Sequence, residues 1–417
     1  MPKAAGYIWL FLCLLLSTDM KAQLQLDLKS DTVYLKGNKR KVNIPFKLVH
    51  NLIVIPIQVN NSTPLNFILD SGVQTALITH LNYSDSLDLH QARKVDITGL
   101  GVGSSLEAFH SSGNSISLKG VEGINQEVFV LSQDVFDLSS RMGMYIHGII
   151  GYDIFKNFIV KINYSTETLT LYRPNFIIRK RRRVQEYPLH IENHKAYVYA
   201  DIHQQNGDTL QVKLVLDTGA SNTVSLYLPS NERITLPSKV MQAYLGRGLS
   251  GDINGKIGRL SCLKIGQFQL ADLPAAYPEE AAIKAALSLS NRNGNLGSDV
   301  LSRFTVIIDY PNKRLLLKPN HKFKKPFHYN MAGFEVTTPM PGTNVYVVSS
   351  VSEDSPASEA GVKPGDQLLN INGQKCLNLS LNDVLELLES SPGKKLNLSL
   401  LREQEKLNVT VVLKSQI

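Results

Sequence analysis

The sequence predicts a mainly β protein built from two copies of one lobe, followed by a third, smaller β unit. The phrase Phe67-Ile68-Leu69-Asp70-Ser71-Gly72 returns 147 residues later as Leu214-Val215-Leu216-Asp217-Thr218-Gly219. Further landmarks return in the same order at an offset of 146 or 147. Beyond about Met331 the pattern changes and the repeat stops. Apolar runs of period two between Gly, Pro and Asn turns make each repeat mainly β. A repeat of this length is a duplicated domain, since solenoid units are far shorter.

The elements follow in chain order. Lys3 precedes the apolar run Tyr7 to Leu16, then a polar stretch and Ala22-Gln23. That pattern predicts a secretory signal over residues 1–22, and the run is short for a bilayer span. A retained anchor is the alternative. Cys13 lacks the small residue before it that a lipoprotein signal shows. Residues 23–176 form the first lobe and 177–322 the second. Ile44-Pro45-Phe46 before Ile53 to Ile57 corresponds to Tyr187-Pro188-Leu189 before Tyr197 to Ala200. The glycine cluster at Gly99, Gly101 and Gly103 corresponds to Gly246, Gly248 and Gly251, turn signals in both copies. Ile149-Ile150-Gly151-Tyr152-Asp153 corresponds to Asn295-Leu296-Gly297-Ser298-Asp299, and strands Ile159 to Tyr164 and Val306 to Tyr310 close the lobes.

The 417 residues suffice for two or three domains, each with a core. The formal charge is +8, and much of the excess sits in Arg179-Lys180-Arg181-Arg182-Arg183 between the repeats. Such a run is most simply a solvated linker; the alternatives are an anion-binding patch or a processing site. An exported chain gives a nucleic-acid partner little support. Only Cys262 and Cys376 follow the signal, in different domains, so no disulfide framework is expected and both read as buried free thiols. There is no H-E-x-x-H, paired C-x-x-C or G-x-S-x-G motif, and the ten histidines are scattered. Gly246-Arg247-Gly248-Leu249-Ser250-Gly251 fits G-x-G-x-x-G, but Gly255 and Gly258 fall where a dinucleotide site needs a helix.

Asp70-Ser71-Gly72 with Ile149-Ile150-Gly151, and Asp217-Thr218-Gly219 with Leu296-Gly297, resemble the retropepsin-like aspartic peptidases, here with both lobes on one chain. The resemblance implies two β-barrel lobes around a two-fold axis, with Asp70 and Asp217 as a catalytic dyad on a shared water. It also implies that the Ser71 and Thr218 hydroxyls bridge the lobes. Gly72 and Gly219 would supply a positive-φ turn and a close approach, and Gly151 and Gly297 would pack behind the dyad. The two glycine clusters would be flaps closing over an extended polypeptide. Facing carboxylates cannot both ionise cheaply and share a proton, so one takes a proton from water while the other hydrogen-bonds the scissile carbonyl. No metal or organic cofactor is required. The chain departs from that pattern at Asn295, where an apolar residue is usual, at Asp153 and Asp299, and at Val73-Gln74.

The third unit, 330–417, contains Ala360-Gly361-Val362-Lys363-Pro364-Gly365-Asp366 and Ile371-Asn372-Gly373, and resembles a PDZ domain. Asn372-Gly373 is a hairpin signal, and Ser380 with Asp383 reads as a helix N-cap. The resemblance implies that a C-terminal or extended peptide adds along Phe334 to Thr338, its carboxylate on the loop Met331-Ala332-Gly333-Phe334. Phe334, Leu385 and Leu388 would form an apolar groove. The expectation is therefore an exported bacterial aspartic endopeptidase, periplasmic, cell-surface or secreted, with no stable membrane span after signal cleavage. Its PDZ domain would recruit peptide or regulate access. The dyad forms within one chain or, alternatively, between two. The rival is a non-catalytic peptide-binding chaperone or scaffold.

Overall fold

Two strands of five or six residues, Ile159–Asn163 and Phe304–Asp309, lie antiparallel at the centre of the molecule, with Lys161 opposite Ile307. Each carries its own hairpin partner outward, Thr168–Tyr172 and Arg314–Pro319, and then Lys41–Pro45 and Gln185–Pro188. The result is one six-stranded sheet shared equally by the two repeats, running under both. The structure, a computed structural model, describes residues 32–81, 87–103, 105–179 and 182–417. The signal segment, and Lys180 and Arg181 of the basic run, lie outside the described residues.

Each lobe adds its own large sheet above this floor, nine-stranded in the first and eight-stranded in the second. The corresponding central strands match in register. Gly148–Ile150 lies parallel to Leu65–Leu69, with Ile149 opposite Ile68. Gly294–Leu296 lies parallel to Thr209–Leu216, with Asn295 opposite Val215. Leu65–Leu69 is almost wholly buried, whereas the floor strand Lys41–Pro45 alternates buried and exposed. Such alternation is expected of a sheet with one wet face. The lobes do not have separate cores: one cluster runs from Val33 and Ile44 through Phe155 and Val198 to Leu317. The shared sheet forces this, because its apolar face touches both lobes at once.

The C-terminal unit is a sheet in the order Phe334–Thr337, Tyr346–Val351, Gln367–Ile371, Lys395–Arg402, Glu405–Val412, with helix Leu381–Leu388 between its third and fourth strands in sequence. The expected N-cap is present. Ser380 N–H donates to Asp383 Oδ2 at 2.8 Å, and Asp383 N–H returns to Ser380 Oγ at 3.2 Å. Asn372 and Gly373 turn the hairpin with φ of 53° and 80°, as a type I′ turn requires. Arg402 clamps buried Asp366 through two hydrogen bonds of 2.6 and 2.7 Å. Cys376 is buried and its thiol is pushed up to about 11. Cys262 departs from expectation in being only half-buried, because its strand lies at the lobe surface; it too is a free thiol. Among the described residues no helix is long and apolar enough to cross a membrane.

Candidate active site

Each aspartate stands where a buried strand gives way to a tight turn. The neighbouring short strand holds that exit in place: Asp70 N–H donates to Ile150 O at 2.8 Å, and Asp217 N–H to Leu296 O at 3.0 Å. The turn then folds back on the carboxylate, with Gly72 N–H on Asp70 Oδ1 at 2.6 Å and Gly219 N–H on Asp217 Oδ1 at 3.1 Å. Both aspartates have no exposed surface.

Ser71 and Thr218 lock the two turns together. Ser71 N–H donates to Thr218 Oγ1 at 2.9 Å, and Thr218 N–H to Ser71 Oγ at 3.0 Å. Each hydroxyl then donates to the opposite lobe, Ser71 to Leu216 O at 2.5 Å and Thr218 to Leu69 O at 2.8 Å. Four bonds thus tie residues 69–71 to 216–218. A Cβ on Gly219 would stand 2.2 Å from Asp70 Cγ, so the lobes meet at van der Waals contact there. Gly72 and Gly219 are absent from the positive-φ positions. The expectation of a left-handed turn is corrected: closeness of approach, not φ, demands glycine at Gly219. Gly151 and Gly297 lie behind, where a Cβ would come within 1.8 Å of Asp70 O and 2.1 Å of Asn222 O.

Burial first, then the facing Asp217 charge, raises the Asp70 carboxyl well above the usual carboxylate range. Asp70 Oδ2 has no hydrogen-bond donor among the described residues. Ionising both of two neighbouring buried carboxylates is costly, which favours a proton shared between them.

The glycine clusters form two hairpin tips that meet each other across the lobes. The tip of the first joins Arg93–Ile97 to Leu106–Leu118, and that of the second joins Val240–Gly248 to Gly251–Ile265. Ser250 N–H donates to Leu100 O at 2.9 Å, and Gly99 N–H to Ser250 Oγ at 3.0 Å. Backbones touch directly: a Cβ on Gly101 would lie 2.3 Å from Gly251 O, one on Gly248 2.0 Å from Leu100 O, and one on Gly103 2.3 Å from Ser250 O. Leu249 is buried among first-lobe residues such as Leu52 and Ile149. Leu100 is buried among second-lobe residues such as Ala282 and Ile283. Each tip therefore anchors in the other lobe. The same strand geometry removes the dinucleotide reading, since Gly255 and Gly258 lie in a strand.

Some residues near the dyad were not legible as site residues. Asn295 Nδ2 donates to Asp217 Oδ2 at 2.7 Å, and Tyr227 donates its hydroxyl to Asn295 Oδ1 at 3.0 Å. Lys195 is buried and donates from Nζ to Gly72 O at 2.7 Å. The signal for Asn295 was its polarity at an apolar position; Lys195 has a comparable one, a lysine opening an apolar strand. Asp153 and Asp299 serve their own helical turns, paired to Lys156 at 3.0 Å and Arg303 at 3.8 Å.

In the third unit, Phe334 and Leu388 are buried and Leu385 is half-buried. The loop before them differs from an open carboxylate nest. Ala332 and Gly333 N–H both donate to Asn330 Oδ1, at 3.1 and 3.2 Å, and Met331 N–H donates to Leu388 O. Nor is the edge strand wholly open. Thr338 N–H donates to Ser140 O in the first lobe, and Asn382 grips Leu48 O and the His50 N–H. A cavity of about 490 Å³ remains at this junction, walled by Leu48 and His50, by Asp299 and Arg303, and by Glu335 and Glu389.

Residues 55–154 and 198–300 match the aspartyl protease family, and residues 347–402 match a PDZ domain. Among solved structures, the crystal structure of an aspartic proteinase from Irpex lacteus is similar, with a TM-score of 0.43 and 14% identity. The match covers 68% of this chain and 99% of that one. The chain thus joins two segments that match the aspartyl protease family to one that matches a PDZ domain.

Proposed function

We propose that this chain of two aspartyl-protease lobes and a PDZ domain is an aspartic endopeptidase that cuts extended polypeptide with an Asp70/Asp217 dyad completed within one chain. The observation that carries the reading is the pair of fully buried carboxylates held face to face by the Ser71–Thr218 exchange. A binding protein gains nothing from two such groups, since burying charge without chemistry to perform is costly.

The chemistry balances within the dyad. Water oxygen attacks the scissile carbonyl carbon as its proton passes to the ionised carboxylate, and the protonated partner delivers its proton to the carbonyl oxygen. The resulting gem-diol collapses. One hydroxyl proton returns to the second carboxylate, the first gives its proton to the amide nitrogen, and the C–N bond breaks. Acid and amine leave, and the dyad ends with its single proton, as it began.

The interlocked glycine tips support a role as flaps that part to admit substrate and close to exclude water. The engaged loop amides and the lobe contacts of the PDZ groove support regulation of access over free capture of peptide tails. An exported location rests on the segment from Lys3 to Ala22.

The test uses a peptide with a tetrahedral hydroxyl isostere at the scissile position, which mimics the gem-diol. It should block cleavage of denatured polypeptide and bind the native protein far more tightly than the parent peptide. Equal affinity for both peptides contradicts the proposal.

A further inference from the structure

We propose that Asn295 is a positioning residue that fixes the negative charge of the dyad on Asp217, making Asp217 the base toward water and Asp70 the acid toward the scissile carbonyl. This rests on the aspartic-peptidase reading and assigns roles that the near-symmetry of the lobes leaves open.

The lobes are alike in backbone and unlike in one contact. Asn295 and Ile149 hold equivalent places, each one residue before the strand end beside its aspartate. Asn295 Nδ2 reaches Asp217 Oδ2 at 2.7 Å, whereas Ile149 has nothing to donate. A hydrogen bond to the charged form of a carboxyl favours that form. Buried without solvent, such a bond to an ionised group is stronger than one between neutral partners.

A line of groups sets the amide the right way round. The Tyr227 hydroxyl donates to Asn295 Oδ1 at 3.0 Å, which leaves the NH₂ toward Asp217. The buried Arg292 guanidinium lies 5.4 Å from the Tyr227 ring centroid, placing a cation at the far end of the line. By strand register the first lobe has Thr79 and Ile146 at the corresponding positions, too short and too apolar to repeat it, so this line exists on one side only.

Other charged and titratable groups face the dyad. Lys195 approaches from strand Lys195–His203, and Tyr310 from the end of the central sheet. Lys195 acts in the opposite sense, favouring charge on Asp70. Its Nζ, however, bonds the Gly72 carbonyl and its effect on Asp70 is coulombic, whereas Asn295 bonds a carboxylate oxygen directly. The direct bond wins, and Asp70 stays the protonated member.

The test is the pH profile of kcat/KM for the native chain and for Asn295→Ile, the residue the first lobe carries. The acid limb reports formation of the monoanion, and the alkaline limb its loss to the dianion. If Asp217 holds the monoanion charge, the amide bond is present on both sides of the second step but only one side of the first. Asn295→Ile then raises the acid limb by about one to two pH units, the range for a hydrogen bond to an ionised group, and leaves the alkaline limb in place. Movement of the alkaline limb alone means that Asp70 carries the charge and overturns the proposal. So does a folded variant in which neither limb moves. Tyr227→Phe, a smaller change, should shift the acid limb the same way by less, and serves if Asn295→Ile does not fold. The ¹³C carboxyl shifts of Asp70 and Asp217 in labelled protein give the same answer without turnover: Asp217 ionises first. An enzyme that cuts nothing thus sinks the peptidase reading while this titration still decides where the charge lies.

Discussion

Ser71 and Thr218 exchange hydrogen bonds across the lobes, each N–H donating to the other's hydroxyl at 2.9 and 3.0 Å. Both hydroxyls are spent twice, as acceptor for the opposing amide and donor to the opposing strand. Ser71→Ala leaves the Thr218 N–H and the Leu216 carbonyl unsatisfied in a dry interior, at a cost of about 2–3 kcal/mol. Thr218→Ala should behave alike, and Thr218→Ser should be nearly neutral. The double alanine variant should lose less than the sum, because the partners share one network. Urea midpoints of the native protein and the four variants check this, and strictly additive losses contradict a shared network.

The reciprocal burial of Leu100 and Leu249 predicts how the site opens. Leu249→Ala removes a buried side chain worth about 2–5 kcal/mol, and the loss falls on flap closure. Amide exchange over residues 98–103 and 246–252 should accelerate at least tenfold, while the central strands Ile159–Asn163 and Phe304–Asp309 keep their protection. Unchanged exchange at the tips means that they are not the gate.

How much of this the sequence carried depends on whether a contact repeats. The two Asp-hydroxyl-Gly turns and their apolar-Gly partners were legible because duplication wrote them twice at one spacing. The Asn372-Gly373 turn and the Ser380–Asp383 cap were legible because they are local. The Asn295–Asp217 bond was not: it depends on the parallel register that sets Asn295 beside Val215, and only the odd polarity of Asn295 hinted at it. Contacts such as His50 with Asn382, 332 residues apart, leave no local pattern. The shared core was missed for the same reason, since nothing in either repeat says that its last strands pair with those of the other. At Gly219 the residue type was read correctly for its close approach, while the backbone angle was not.

The junction between the lobes and the PDZ domain should weaken as pH rises. Burial, then the charges of Asp299 and Glu386, push Glu389 up to about 8. By surface area Glu389 is only partly buried, and solvent in the cavity beside it screens part of this effect. The sign is unaffected. An unfolded glutamate ionises near pH 4.3, so the folded state binds more protons between there and about pH 8, and stability falls across that window. Asp299 is shifted in the same direction by its own burial. Glu389→Gln should flatten the decline in melting temperature between pH 5 and 9. A wild-type profile in the variant would show that Glu389 is solvated.

The most direct measurement is peptide cleavage across pH 3–8 by the purified native chain, with Asp70→Asn and Asp217→Asn alongside, read by mass spectrometry. The account predicts cuts by the native protein that both single variants lose, by at least a hundredfold, with folding and monomeric mass unchanged. Activity persisting in either variant, or a folded native protein that cuts nothing at any pH, would contradict a dyad shared between the two lobes of one chain.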